Sequence, residues 1–108
     1  MKRIYTKPIT FGGPINEGSP YYNFKNDIMK EFQSLSWRGK GDISLEINLY
    51  LAKDRIKPGK NDLDNFLKPI IDALDEIKVI EETQIDCIKI KRVKVDKAEE
   101  EGVDIGIK

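Results

Sequence analysis

The chain contains no histidine, and so lacks the side chain that most often moves protons near neutral pH and that ligates metals through imidazole. His-based metal sites and Ser-His or Cys-His nucleophilic triads are thereby excluded. The single cysteine, Cys87, has no partner for an internal disulfide; in an apolar strand it is expected to be a small core residue. No apolar run is long enough to cross a bilayer, and residues 1–35 carry no basic-then-apolar leader, which points to a cytoplasmic protein without a membrane partner. Net charge is absent as well, with 19 Lys+Arg against 19 Asp+Glu. That balance argues weakly against indiscriminate binding of polyanions and says little about local fields.

What is present suits one soluble domain spanning residues 1–108. Hydrophobic residues make up 39% and charged residues 35% of the chain, enough for one modest core at a size that often gains from an oligomeric interface. Patterning predicts a strand over residues 3–11, a Gly/Pro-rich connection over 12–20 and a helix over 21–35. Tyr22, Ile28, Met29, Phe32 and Leu35 lie on that helix's buried face, with Trp37 beyond its end. Strict alternation over 42–52 predicts a half-buried strand, with Ile43, Leu45, Ile47 and Leu49 on one side and Ser44, Glu46, Asn48 and Tyr50 on the other. A basic loop over 53–61 leads to a helix over 62–77. A strand starting at 80 or 85 and ending at 95, a solvated turn over the acids of 98–101 and a last strand over 103–107 complete the chain. The order βαβαββ implies an α+β fold in two layers, a mixed β-sheet backed by two helices.

The densest chemistry lies in residues 62–84, DLDNFLKPIIDALDEIKVIEETQ. Phe66, Leu67, Ile70, Ile71, Leu74 and Ile77 recur at helical spacing, which makes one face core and places Asp62 at the N-cap and Asp64 in the first turn. Glu81 and Glu82 follow the helix, where a strand starting there would return them to the same helix terminus. Two readings stand side by side. Carboxylates at a helix start are ordinary caps that also favour the positive end of the helix dipole, whereas three or four that converge repel one another unless a hard divalent cation binds them. Lys68 pairs with Asp64 or Asp72 at i, i+4. Pro69 cannot donate to the Asn65 carbonyl, which predicts a local kink.

The same residues resemble the signature of the RusA family of Holliday-junction resolvases. Asp62-Leu63-Asp64-Asn65 matches the family's D-x-D-N, Lys68 its lysine four residues on, Asp72-Ala73-Leu74 its D-A-L, and Glu81-Glu82-Thr83-Gln84 its D-D-x-Q, with glutamates in place of aspartates. Lys57-Pro58 and Lys60 resemble its basic approach. The likeness covers roughly residues 57–95; before that it extends only to the order of elements. It implies a RusA-like fold and a homodimeric, Mg²⁺-dependent endonuclease, with Mn²⁺ as a substitute, that resolves four-way DNA junctions in recombination and repair. Asp62, Asp64 and Glu82, with Glu81 as the alternative, would be the metal ligands. Lys68 would be the catalytic cation that faces the phosphate.

Basic residues bracket this segment in sequence. Lys53, Arg55, Lys57 and Lys60 precede the aspartates, and Lys89, Lys91, Arg92 and Lys94 follow the glutamates. Lys57, Lys60, Lys89 and Lys91 are the candidates for DNA contact, because a nuclease needs cations around its acids to approach a phosphate backbone. A noncatalytic DNA-binding module of the same fold is the competing expectation.

Overall fold

The computed structural model describes residues 2–34, 41–59 and 61–108; Leu35, Trp37 and Lys60 lie outside the described residues. Six main elements follow in order: β1 (Arg3–Tyr5), α1 (Pro20–Phe32), β2 (Ile43–Ala52), α2 (Leu63–Glu76), β3 (Ile85–Val95) and β4 (Gly102–Ile107). They form a two-layer α+β fold in which a four-stranded mixed sheet, ordered β1-β4-β2-β3, is backed by two helices. β3 pairs with β2 in parallel, whereas β4 is antiparallel to both β2 and β1. Among the described residues no helix is long and apolar enough to cross a membrane.

Alternation in β2 decides which face of the sheet is covered. Ile43, Leu45, Ile47, Leu49 and Leu51 are buried while Ser44, Glu46, Asn48 and Tyr50 remain half-buried. The buried set meets Phe24 and Ile28 of α1, Phe66, Ile70, Ala73 and Leu74 of α2, and Val103 and Ile105 of β4. Each large apolar side chain removed from water here contributes about 1.5–3 kcal/mol. α1 starts with Ser19, whose Oγ accepts from the Tyr22 amide at 3.2 Å, followed by Pro20 in the first turn. Its buried aromatic near that start is Tyr21 rather than Tyr22. The first strand is shorter than the sequence predicts, because only Arg3–Tyr5 finds partners on β4.

Two polar features hold the far end of the sheet. Glu101, expected in a solvated turn, is 3% exposed. Its carboxylate accepts from the Ala52 amide at 2.9 Å and from Arg55 Nη1 at 3.0 Å, and Arg55 Nη2 donates to the Pro8 carbonyl at 2.6 Å. Thus Arg55 is a structural cation, while the nearby Lys53 pairs with Asp96 at 2.8 Å on the exposed surface. Gly102 follows directly, and a Cβ built on it would collide with the Ile4 carbonyl oxygen. Only glycine lets β1 approach this closely.

Glu101→Ala strands the Arg55 guanidinium and the Ala52 amide, and should lower unfolding free energy by roughly 3–5 kcal/mol, read as a drop in the urea midpoint. Gly102→Ala should cost about 1–3 kcal/mol by displacing β1, and amide exchange at Ile4 should rise with it.

Candidate metal and nucleic-acid site

Helix α2 begins without the cap its sequence advertises. Asp62 occupies the N-cap position with extended backbone, φ −65° and ψ 143°, yet its side chain makes no capping hydrogen bond. Asp62 and Asp64 are exposed, and neither carboxylate is hydrogen-bonded or ion-paired among the described residues. The helix start is held by main-chain contacts, in which the Asn65 amide donates to the Asp62 carbonyl at 3.1 Å. Asn61, in the left-handed region at φ 55°, anchors the incoming loop through its amide nitrogen to the Arg55 carbonyl at 2.7 Å. Two free carboxylates therefore project from the positive end of a helix dipole.

Pro69 is accommodated within a continuous helix. The Asn65 carbonyl that it leaves without a donor accepts instead from the Phe11 amide at 3.0 Å. This bond docks the β1–α1 connection onto the first turn of α2. Phe11 packs edge-on to Tyr21, ring centroids 6.0 Å apart, and lies 5.8 Å from Lys68 Nζ.

Lys68 pairs with Asp72 at 3.3 Å, the i, i+4 partner further along the helix. An exposed pair of this kind contributes only about 0.2–0.5 kcal/mol, so the ammonium is easily released. Asp72 also accepts from the Tyr21 hydroxyl at 3.5 Å. Burial, then the charge of Asp72, holds the Tyr21 pKa above its ordinary value.

The glutamates are not where the following strand was expected to bring them. β2 and β3 are parallel, with Ile43 opposite Ile85 and Ala52 opposite Val95, so α2 must travel back along the whole sheet between them. Asp62 and Asp64 lie at the start of this return and Glu81 and Glu82 after its end. The 14 residues of α2 separate the two pairs by about 20 Å. Glu82–Gln84 is a short 3-10 turn rather than strand, and the Glu82 amide donates to Asp75 near the C-terminus of α2 at 3.2 Å. Glu81 is engaged in a reciprocal capping arrangement with Gln84, which leaves Glu82 as the acid with the unengaged side chain. Among the described residues no group of three or more acidic or thiol side chains is placed to hold a metal ion. Asp62 and Asp64 by themselves suit Mg²⁺, which commonly takes one or two carboxylates and fills its remaining positions with water and phosphate oxygens.

The basic candidates divide between two surfaces. Lys57 is exposed in the loop before α2, and Lys60 lies outside the described residues. Lys89 and Lys91 are opposite Glu46 and Asn48 of β2, on the sheet face turned away from the helices, and not around the aspartates. Cys87 shares that face through its pairing with Ser44 and is exposed rather than core. The register irregularity between Ile43 and Ser44 explains the change, because it moves Cys87 out of phase with Ile85.

Sequence reasoning missed a cluster on this open face. The Tyr50 hydroxyl donates to Asp104 Oδ2 at 2.6 Å, and the Arg3 guanidinium carbon lies 3.7 Å from the Tyr50 ring centroid. The hydrogen bond to Asp104, then burial, raises the Tyr50 pKa above the usual phenol range. Alternation already places Tyr50 on the polar side of β2; its partners come from β1 and β4, whose pairing leaves no local signal in sequence.

Pro69→Ala restores an amide that competes for the Asn65 carbonyl. Hydrogen exchange at Phe11 should accelerate while the helix stays intact by circular dichroism; an unchanged Phe11 rate would show that the loop is held by other contacts. No family model, characterised protein or solved structure matches the chain.

Proposed function

We propose that the chain is a Mg²⁺-dependent DNA endonuclease of the RusA type, acting in the cytoplasm on four-way junctions as a homodimer, with Asp62 and Asp64 as the metal ligands. One observation carries the reading: both acids at the start of α2 are exposed and neither caps the helix nor joins an ion pair. A purely structural Asp62 would be expected to cap. When bound, the metal supplies an activated water and polarises the scissile phosphate. The chain's own part is to hold two carboxylates on a rigid helix terminus and to keep Lys68 one turn away in a weak pair that a phosphate can outcompete.

Homodimerisation gains a second purpose from the length of α2. Within one chain Glu82 is about 20 Å from the aspartates, so Glu82 can join the site only from a second copy. A twofold axis that sets two α2 helices antiparallel exchanges their ends and brings Asp62 and Asp64 toward the partner's Glu82. Two symmetric nicks require the same twofold symmetry. The competing reading, a noncatalytic DNA-binding module, draws on the separation of the acids within one chain.

The test is cleavage of a synthetic mobile four-way junction against linear duplex, with Mg²⁺, Mn²⁺ or chelator. Paired nicks that need metal should fall in Asp64→Asn by more than the roughly 10–100-fold typical of losing an outer-sphere partner, while junction binding persists. Asp64→Asn and Glu82→Gln should each be inactive alone. Mixed, they should regain nicking at roughly a quarter of sites, since a twofold heterodimer keeps one intact pair. Junction binding without cleavage under every metal condition would establish the noncatalytic module instead.

A further inference from the structure

We infer that the sheet face turned away from the helices is a stacking platform for an unpaired nucleic-acid strand. This inference stands on that face alone and is independent of the acids on α2.

The face is built in cross-strand rows. Tyr5 of β1, Gly102 of β4 and Tyr50 of β2 form one row; Arg3, Asp104, Asn48 and Lys91 form the next; Gly106, Glu46 and Lys89 form a third. Gly102 and Gly106 flank Asp104 on β4, and the Ile4 carbonyl occupies the space where a side chain at 102 would stand. Tyr5 and Tyr50 are two strand spacings apart, about 10 Å; Val93 of β3 lies opposite Tyr50, and Lys91 and Lys89 stand one and two rows away on the same strand. Tyr5 is 67% exposed, so its ring offers free area to an incoming flat group. The Arg3 guanidinium lies between the rings, 3.7 Å from the Tyr50 centroid and 5.6 Å from the Tyr5 centroid, and so fills the gap with a third flat, stackable group.

Charge selects the occupant. The acids on this face are already engaged: Glu46 pairs with Lys108 at 2.7 Å, and Asp104 accepts from the Tyr50 hydroxyl. Lys89 and Lys91 form no ion pair among the described residues, and both are exposed. A second copy of the chain would set these cations against their own kind, whereas a polyanion with flat bases meets cations at one edge and rings across the middle. Aromatic residues on four-stranded sheets elsewhere stack two or three bases, a mode that requires unpaired nucleotides.

Fluorescence anisotropy with labelled dT10 and rU10, in chelator so that no cleavage intervenes, tests this. Both strands should bind more tightly than a ten-base-pair duplex or dextran sulfate, and their ratio reports whether DNA or RNA is preferred. Tyr5→Ala should weaken binding about five- to hundredfold, the effect of losing one base–aromatic stack, and Tyr5→Phe should restore it. Lys89→Ala with Lys91→Ala should reduce the slope of log affinity against log salt by about 1.4. The inference fails if Tyr5→Ala binds dT10 and rU10 like wild type, or if dextran sulfate competes as well as either strand. It also fails if Tyr5→Ala changes the oligomeric mass by light scattering while oligonucleotide binding stays constant, because the face would then be an interface between copies.

Discussion

Parallel pairing of β2 with β3 is the constraint on which the rest of the molecule depends. Two parallel neighbours cannot be joined by a tight turn, so the chain must return along the length of the sheet before β3 begins. α2 makes that return, and its apolar stripe of Phe66, Ile70, Ala73 and Leu74 closes the core over β2. Everything just before α2 is thereby fixed at the carboxyl end of the parallel strands and everything just after it at the opposite end. The carboxyl ends of parallel strands are where open α/β sheets usually gather ligands; Lys57 and Asp62 precede α2 on that side, and Asp64 lies in its first turn.

Satisfying the backbone accounts for several residues whose roles are otherwise obscure. Pro69 removes a donor from α2, and Phe11 supplies it from a loop distant in sequence. Glu101 enters the interior because the Ala52 amide and Arg55 need an acceptor there. Main-chain hydrogen bonds hold the α2 terminus and leave Asp62 and Asp64 uncommitted. Such economy separates acids that stabilise the fold from acids that face solvent unpaired.

The two faces of the sheet carry different chemistry. One is covered by the helices and is apolar along β2, with Arg92 and Lys94 of β3 opposite Leu49 and Leu51 at its edge. On the other, tyrosines, an arginine and lysines share a flat surface with two glycines. β3 is also the sheet's edge, and its run of Lys89, Lys91, Arg92 and Lys94 opposes pairing with a like strand. A basic edge beside an aromatic floor distinguishes this surface from the acid-bearing helix end.

Periodicity by itself determined the order of elements, the buried face of β2, the core stripe of α2 and the position of Asp62 and Asp64 at its start, because each depends on contacts made within a few residues. Local pattern also located Glu81 and Glu82 in the chain, but not in space. Their separation from the aspartates, the burial of Glu101, the exposure of Cys87 and the meeting of Arg3, Tyr50 and Asp104 were decided only by the tertiary structure. Each of these follows from strand direction, register or pairing between distant segments, and long-range pairing is set by the sum of the whole core rather than by the residues on either side.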